Sequence, residues 1–215
     1  MRIIHALWIA LLISFLPNLA AAQTASYSLN STAVSQFGTE PYGSVTLTQS
    51  FSDVLVNVVL RSDLNFLTTG NPDSHSIFSF NLSGATASDI TDISFANGLN
   101  GRFGVASPAG NSPFGNFTYG IVCTGSCTQG GSGGGYVDPL NFTVHSATLS
   151  EFNHLSTSGT GAYFAADVLN LSGNTGAIGA TVAAVPEPES YVMLLSGLGL
   201  MGFVARRRKQ AAARV

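Results

Sequence analysis

From residue 23 to residue 185 no stretch of this chain keeps apolar side chains at a helical period for three turns, and this constrains the fold class more than any other feature. The region instead holds short runs in which apolar and polar residues alternate. Ile77, Phe78 and Phe80 with Leu82 are one such run; Leu140, Phe142 and Val144 with their polar neighbours are another. A period of two places alternate side chains on opposite faces of a pleated strand, so these runs read as half-buried strands. Candidate strands cover residues 26–29, 43–48, 54–60, 76–82, 92–95, 102–106, 117–123, 140–147, 162–169 and 176–184. Turn clusters separate them, among them Gly70-Asn71-Pro72-Asp73, Ser107-Pro108-Ala109-Gly110 and Gly173-Asn174. About ten short strands with such breaks predict an all-β fold, a single antiparallel β-sandwich or jelly roll rather than a closed barrel, with phenylalanines in its core.

Residues 23–184 suit one domain and are enough to bury a substantial core. Between Gln23 and Val185 there is no lysine, and two arginines (Arg61, Arg102) stand against nine acidic residues, a net charge of −7. The whole-chain value of −3 conceals this, because the other basic residues lie near the two ends. An acidic, lysine-free surface argues against nucleic acid and against anionic membrane surfaces as partners.

The ends have their own logic. Residues 1–22 begin with Arg2, continue through an apolar run over residues 6–16 and finish on Ala20, Ala21 and Ala22, the pattern of a secretory signal peptide. Cleavage is predicted between Ala22 and Gln23. At the other end Val185-Pro186-Glu187-Pro188-Glu189 precedes an apolar block over residues 191–205 and the basic cluster Arg206, Arg207, Arg208 and Lys209. The prolines exclude helix at the break and leave an extended segment that a processing enzyme can grip. A 15-residue helix covers about 22 Å against roughly 30 Å of hydrocarbon, which makes a poor permanent anchor. The basic cluster belongs on the cytoplasmic side, with residues 210–215 as a short cytoplasmic tail, so the middle of the chain lies outside the inner membrane.

Val185-Pro186-Glu187-Pro188, the Gly-rich apolar segment and the arginine cluster together resemble the PEP-CTERM sorting signal of Gram-negative bacteria, here over residues 185–209. That resemblance implies an inner-membrane intermediate, recognition by an exosortase, cleavage near Pro186-Glu187-Pro188, and delivery to the cell surface or an exopolysaccharide matrix. A looser likeness runs inward: Ala162-Tyr163-Phe164-Ala165-Ala166-Asp167-Val168, Gly173-Asn174-Thr175-Gly176-Ala177 and Pro139-Leu140-Asn141-Phe142-Thr143-Val144 are similar to segments of some PEP-CTERM ectodomains. It implies surface proteins without a family catalytic residue.

The middle offers few chemical constellations. Cys123 and Cys127 are the only cysteines; outside the inner membrane they are expected to close a small disulfide loop. The glycine run 130–135 is followed by neither lysine nor a helix start, so it reads as a surface loop and not a phosphate cradle. His75, His145 and His154 and the many serines show no Gly-x-Ser-x-Gly elbow. Glu40 and Glu151 are too far apart in sequence to indicate a glycosidase pair. Asp63, Asp73, Asp89, Asp92 and Asp138 fall in turn-rich positions where calcium could bind, but without the spacing of a calcium loop; turn formation explains them as well. Sequons at Asn30, Asn81, Asn116, Asn141 and Asn170 are expected by chance in so Ser- and Thr-rich a chain. The expectation is therefore no catalytic residue, no metal and no cofactor. The function expected is a structural cell-surface or matrix protein associated with exopolysaccharide and biofilm. The alternative is a carbohydrate-binding module presenting Tyr119, Tyr136 and Tyr163, with a secreted hydrolase third.

Overall fold

The alternating runs form strands in the computed structural model, which describes residues 22–68, 75–96, 102–124, 135–136, 139–182, 185–186, 197–199 and 201–202. In chain order the strands are β1 (Thr24–Leu29), β2 (Ser31–Thr32), β3 (Gly43–Ser50), β4 (Asp53–Leu60), β5 (Leu64–Leu67), β6 (Phe78–Phe80), β7 (Ile90–Phe95), β8 (Phe103–Ala106), β9 (Ala109–Asn111), β10 (Gly115–Phe117), β11 (Tyr119–Cys123), β12 (Gly135–Tyr136), β13 (Leu140–Val144), β14 (Phe164–Asn170), β15 (Thr175–Ala180) and β16 (Val185–Pro186). All pairings are antiparallel, as the all-β reading expects.

One sheet runs β16-β1-β3-β4-β13-β7. The other is built around β14, which pairs along one edge with β15 and, through it, with β2. The opposite edge of β14 is shared: Phe164–Ala166 pair with β6, whereas Val168–Asn170 pair with β5. Beyond β6 lie β11 and β8, and beyond β5 lies β12. Asp167 is thus the position at which β14 changes neighbours, its N–H donating to the Ile77 carbonyl at 3.1 Å.

The inward side chains of the two sheets share one core. Strand β4 shows why: Val54, Val56, Val58 and Leu60 are buried, while Leu55 and Val59 between them are exposed. Rings meet across the sheets, Phe80 with Phe142 at 5.2 Å, Phe66 with Phe95 at 5.4 Å and Tyr27 with Phe164 at 4.7 Å. Aromatic pairs at these spacings add to the burial of their own area.

Strands β6 and β14 depart from the half-buried expectation, since every residue of both is buried. Hairpin β9–β10 is the cause. Its Phe114 and Phe117 pack with Ala162, Ala165 and Ala177 in a second small core, which covers the outer face of the second sheet. The expected strand over residues 117–123 is broken at Thr118, whose N–H and hydroxyl both donate to Asn81 Oδ1, at 2.9 and 3.1 Å, where the chain passes from hairpin to sheet. The turn expected over residues 107–110 likewise gives way in part to β9, because the hairpin's first strand starts at Ala109. The expected strands over residues 140–147 and 176–184 are shorter, ending at Val144 and Ala180.

The apolar block expected as a membrane helix over residues 191–205 lies mostly outside the described residues; Gly197–Gly199 and Met201–Gly202 are helical. Among the described residues no helix is long and apolar enough to cross a membrane.

Candidate functional site

The start of the sorting segment is a strand. Val185 pairs with Ser26 and Pro186 with Ala25, which makes β16 the outermost strand of its sheet. Proline has no N–H for a second ladder, so an edge strand is where a sheet accommodates it. Because β16 is antiparallel to β1, the chain at Pro186 runs toward the end of β1 from which Gln23 and Ala22 depart. Both of those residues are exposed, and the Gln23 carbonyl accepts from the Gln49 N–H at 2.8 Å. The predicted signal-cleavage bond and the first residues of the sorting segment therefore lie toward the same end of β1. Glu187, Pro188, Arg206, Arg207, Arg208 and Lys209 lie outside the described residues, as does the body of the signal peptide.

Cys123 ends β11, and no described cysteine is free; Cys127 and the glycines before Gly135 are outside the described residues. Gly135 and Tyr136 form β12 against Leu67 and Phe66.

Most of the acidic residues serve local structure. Asp63 takes a two-pronged hydrogen bond from Arg61, at 2.6 and 2.9 Å, and those bonds hold its carboxyl below the usual range. Arg61 also donates to the carbonyls of Phe37 and Thr39 and lies 5.3 Å from the Tyr42 ring centre, so it ties the loop before β3 to the end of β4. Asp89 and Glu151 each close a capping box on a short 3-10 turn, with Thr86 and Thr148 respectively. Glu40 is exposed beside Pro41 and has no part in Glu151's turn. Asp73 and Asp138 are outside the described residues, and among the described residues no group of three or more His, Cys, Asp and Glu gathers.

Of the three tyrosines expected to be presented, the Tyr136 side chain lies outside the described residues, and the other two are partly or wholly buried. Tyr119 is buried, with its hydroxyl donating to the Ala85 carbonyl at 2.7 Å, because it points into the main core against Phe80. Tyr163 is partly buried and its ring lies 5.6 Å from that of Tyr27. Tyr119 therefore offers no exposed face.

Two histidines find carboxylates far away in sequence. His145 follows β13; its Nδ1 is 3.0 Å from Asp53 Oδ2 and its Nε2 is 2.9 Å from Thr91 Oγ1. The hydrogen bond from His145, then that from the Ser146 N–H, holds the Asp53 carboxyl below its ordinary value. This row resembles a hydrolytic triad in order but stands on an open sheet face, the His145 side chain 44% exposed. Water screens such a pair and competes for the hydroxyl. Beside it, a cleft of ≈ 770 Å³ lies between the edge strands β7 and β8, lined by Ser88, Thr91, Asp92, Ser94, Ile93 and Phe103 among others. His154 Nε2 lies 3.4 Å from Ser83 Oγ.

The second histidine is in a different setting. His75 Nδ1 stands 4.0 Å from Asp167 Oδ2, and His75 is bridged to Asn111 at the end of β9. Asp167 is 1% exposed and Asn111 fully buried. Burial pushes the Asp167 carboxyl up to about 7, against a smaller opposing effect of the Val168 N–H. The Asn111 amide nitrogen donates to the Ser76 carbonyl at 2.8 Å and reaches Ser79 Oγ at 3.4 Å. His75 Nδ1, Asn111 Oδ1 and Asp167 Oδ2 have no hydrogen-bond partner and are the only buried side-chain polar atoms of the described residues in that condition. Sequence reasoning missed this group, since nothing local marks residues 36 and 56 positions apart in the chain as neighbours.

Residues 184–209 match the PEP-CTERM protein-sorting motif. No curated protein and no solved structure matches the chain.

Proposed function

We propose that this chain, an exported protein sorted by an exosortase through its PEP-CTERM motif, serves as a non-enzymatic structural component of the cell surface or extracellular matrix, associated with exopolysaccharide and biofilm. Its ectodomain is read as a β-sandwich spanning residues 23–184, with Cys123 and Cys127 closing a disulfide at the end of β11.

One observation carries the reading: Val185 and Pro186, at the start of the sorting segment, pair with β1, near the predicted cleavage position at Gln23. A domain whose two ends lie toward the same end of one strand can stand on one membrane by both, with the rest of the two sheets directed away from it. After processing at both ends, what remains is a polar, acidic, lysine-free body. In support, the Asp53–His145–Thr91 row is open to solvent, where neither a desolvated nucleophile nor an isolated charge is held.

The test is fractionation of cells expressing the wild type or the Pro186→Ala, Pro188→Ala double variant. The wild type is expected in the surface or matrix fraction with both ends removed, and the variant at the inner membrane with its tail attached. Wild-type protein recovered only in the inner membrane with residues 191–209 intact would overturn the sorting part. Normal matrix in a deletion strain would overturn the structural part.

The cleft between β7 and β8 favours a second reading, a carbohydrate-binding module. Hydroxyls of Ser88, Thr91 and Ser94, the Asp92 carboxylate and the apolar Ile93 and Phe103 are the mixture that sugar hydroxyls and ring faces require. Saturable binding of the organism's own polysaccharide, lost on Asp92→Ala, would promote it over the structural role.

A further inference from the structure

Buried polar atoms in folded proteins are almost always hydrogen-bonded, and each exception calls for a physical cause. Here the exceptions fall on three neighbouring residues. Ala166 and Val168 face the main core, so Asp167 between them faces the other side of the sheet, the side covered by hairpin β9–β10. There it meets His75, which is bridged to Asn111 on that hairpin. We propose that His75 Nδ1, Asn111 Oδ1 and Asp167 Oδ2 form a binding site for one divalent transition-metal ion of the Zn²⁺ or Mn²⁺ class, which fastens the β9–β10 hairpin to the second sheet.

Three observations favour a cation over a direct contact or a water molecule. First, 4.0 Å is too long for a hydrogen bond between imidazole and carboxylate. It falls within the span of two donors on one ion, which at bonds of about 2.0–2.2 Å reaches from about 3.4 Å for tetrahedral ligands to about 4.4 Å for opposed ones. Second, among the described residues the one ion-pair contact of Asp167 is His75 at 4.0 Å, and Arg61 is committed to Asp63. A water molecule supplies no charge, whereas a metal ion does. Third, the Asn111 nitrogen is already used by Ser76 and Ser79, which fixes the amide so that its oxygen is the atom left over. Imidazole nitrogen with two oxygens is a donor set for divalent first-row ions. His75, whose side chain is 38% exposed, provides the route in from solvent.

The experiment uses the full chain in detergent, stripped with EDTA and titrated with Co²⁺ and separately with Zn²⁺. One equivalent of Co²⁺ is expected to give visible absorption that Zn²⁺ abolishes, and Zn²⁺ at about one hundred times its Kd is expected to raise Tm by on the order of 5 °C. Asp167→Asn and His75→Gln should each lose both responses, and His145→Ala, which disrupts the exposed Asp53 pair, should keep both. Should Asp167→Asn not fold, His75→Gln decides alone, because its side chain is half open to solvent. Absence of both responses in the wild type, their persistence in His75→Gln, or their loss in His145→Ala would each overturn the proposal.

Discussion

Replacing Asp167 by asparagine keeps the side chain's shape and removes its capacity to ionise. In the metal-free fold burial raises that carboxyl from 3.8 to about 7. The sign follows from linkage: a carboxyl whose folded pKa exceeds its unfolded one favours folding most below the unfolded pKa. Its cost then grows as pH rises, until the folded group ionises as well. A displacement of about three units at about 1.4 kcal/mol each sets a ceiling of about 4 kcal/mol, reached above pH 7. The amide that replaces it is itself buried, and its incomplete hydrogen bonding returns roughly 1–3 kcal/mol of that gain. Asp167→Asn is therefore expected to be more stable than the wild type by about 2 kcal/mol at pH 8 and no more stable at pH 4. Urea denaturation in EDTA at pH 4, 5.5, 7 and 8 measures this, with equal slopes in urea as the check that the unfolded states are alike. His75 faces the carboxyl, so the series is repeated with His75→Gln, which takes the imidazole away. A stability difference that stays constant across the pH range, or a variant less stable at pH 8, would refute the claim that Asp167 is held unpaired in a desolvated site.

Phe80 is fully buried and its ring meets those of Phe78, Tyr119, Phe142 and Phe152; Phe80→Ala is expected to cost about 3–5 kcal/mol, read as a lowered urea midpoint. His145→Ala should let the Asp53 carboxyl rise toward its ordinary value, since the hydrogen bond from His145 is the largest cause of its depression; NMR titration of the Asp53 side chain would record the change, and an unmoved titration would contradict the assigned pairing.

Much of the main core was legible because period-two alternation is a local property. In β13 the apolar set read from the chain, Leu140, Phe142 and Val144, is the set found buried. Strand β5 was missed because Leu64, Asn65, Phe66 and Leu67 make too short a run to show alternation. Tyr119 was misjudged as an exposed platform for a related reason: a strand's pattern tells which side chains share a face, not whether that face is covered. Tyr119 faces the main core between the sheets, and on the opposite face hairpin β9–β10 covers β6 and β14, a third layer that no periodicity within those strands records.

By itself the sequence determined the all-β class, the acidic lysine-free body and the sorting signal, because each depends on residues adjacent along the chain. Only the tertiary structure decided that Val185 and Pro186 add to β1 beside Gln23, and that His75, Asn111 and Asp167 meet beneath a hairpin. Both are juxtapositions across long loops, set by how strands order themselves in a sheet and by which faces remain to be covered. Local pattern constrains the elements, whereas the burial of their leftover faces chooses the neighbours.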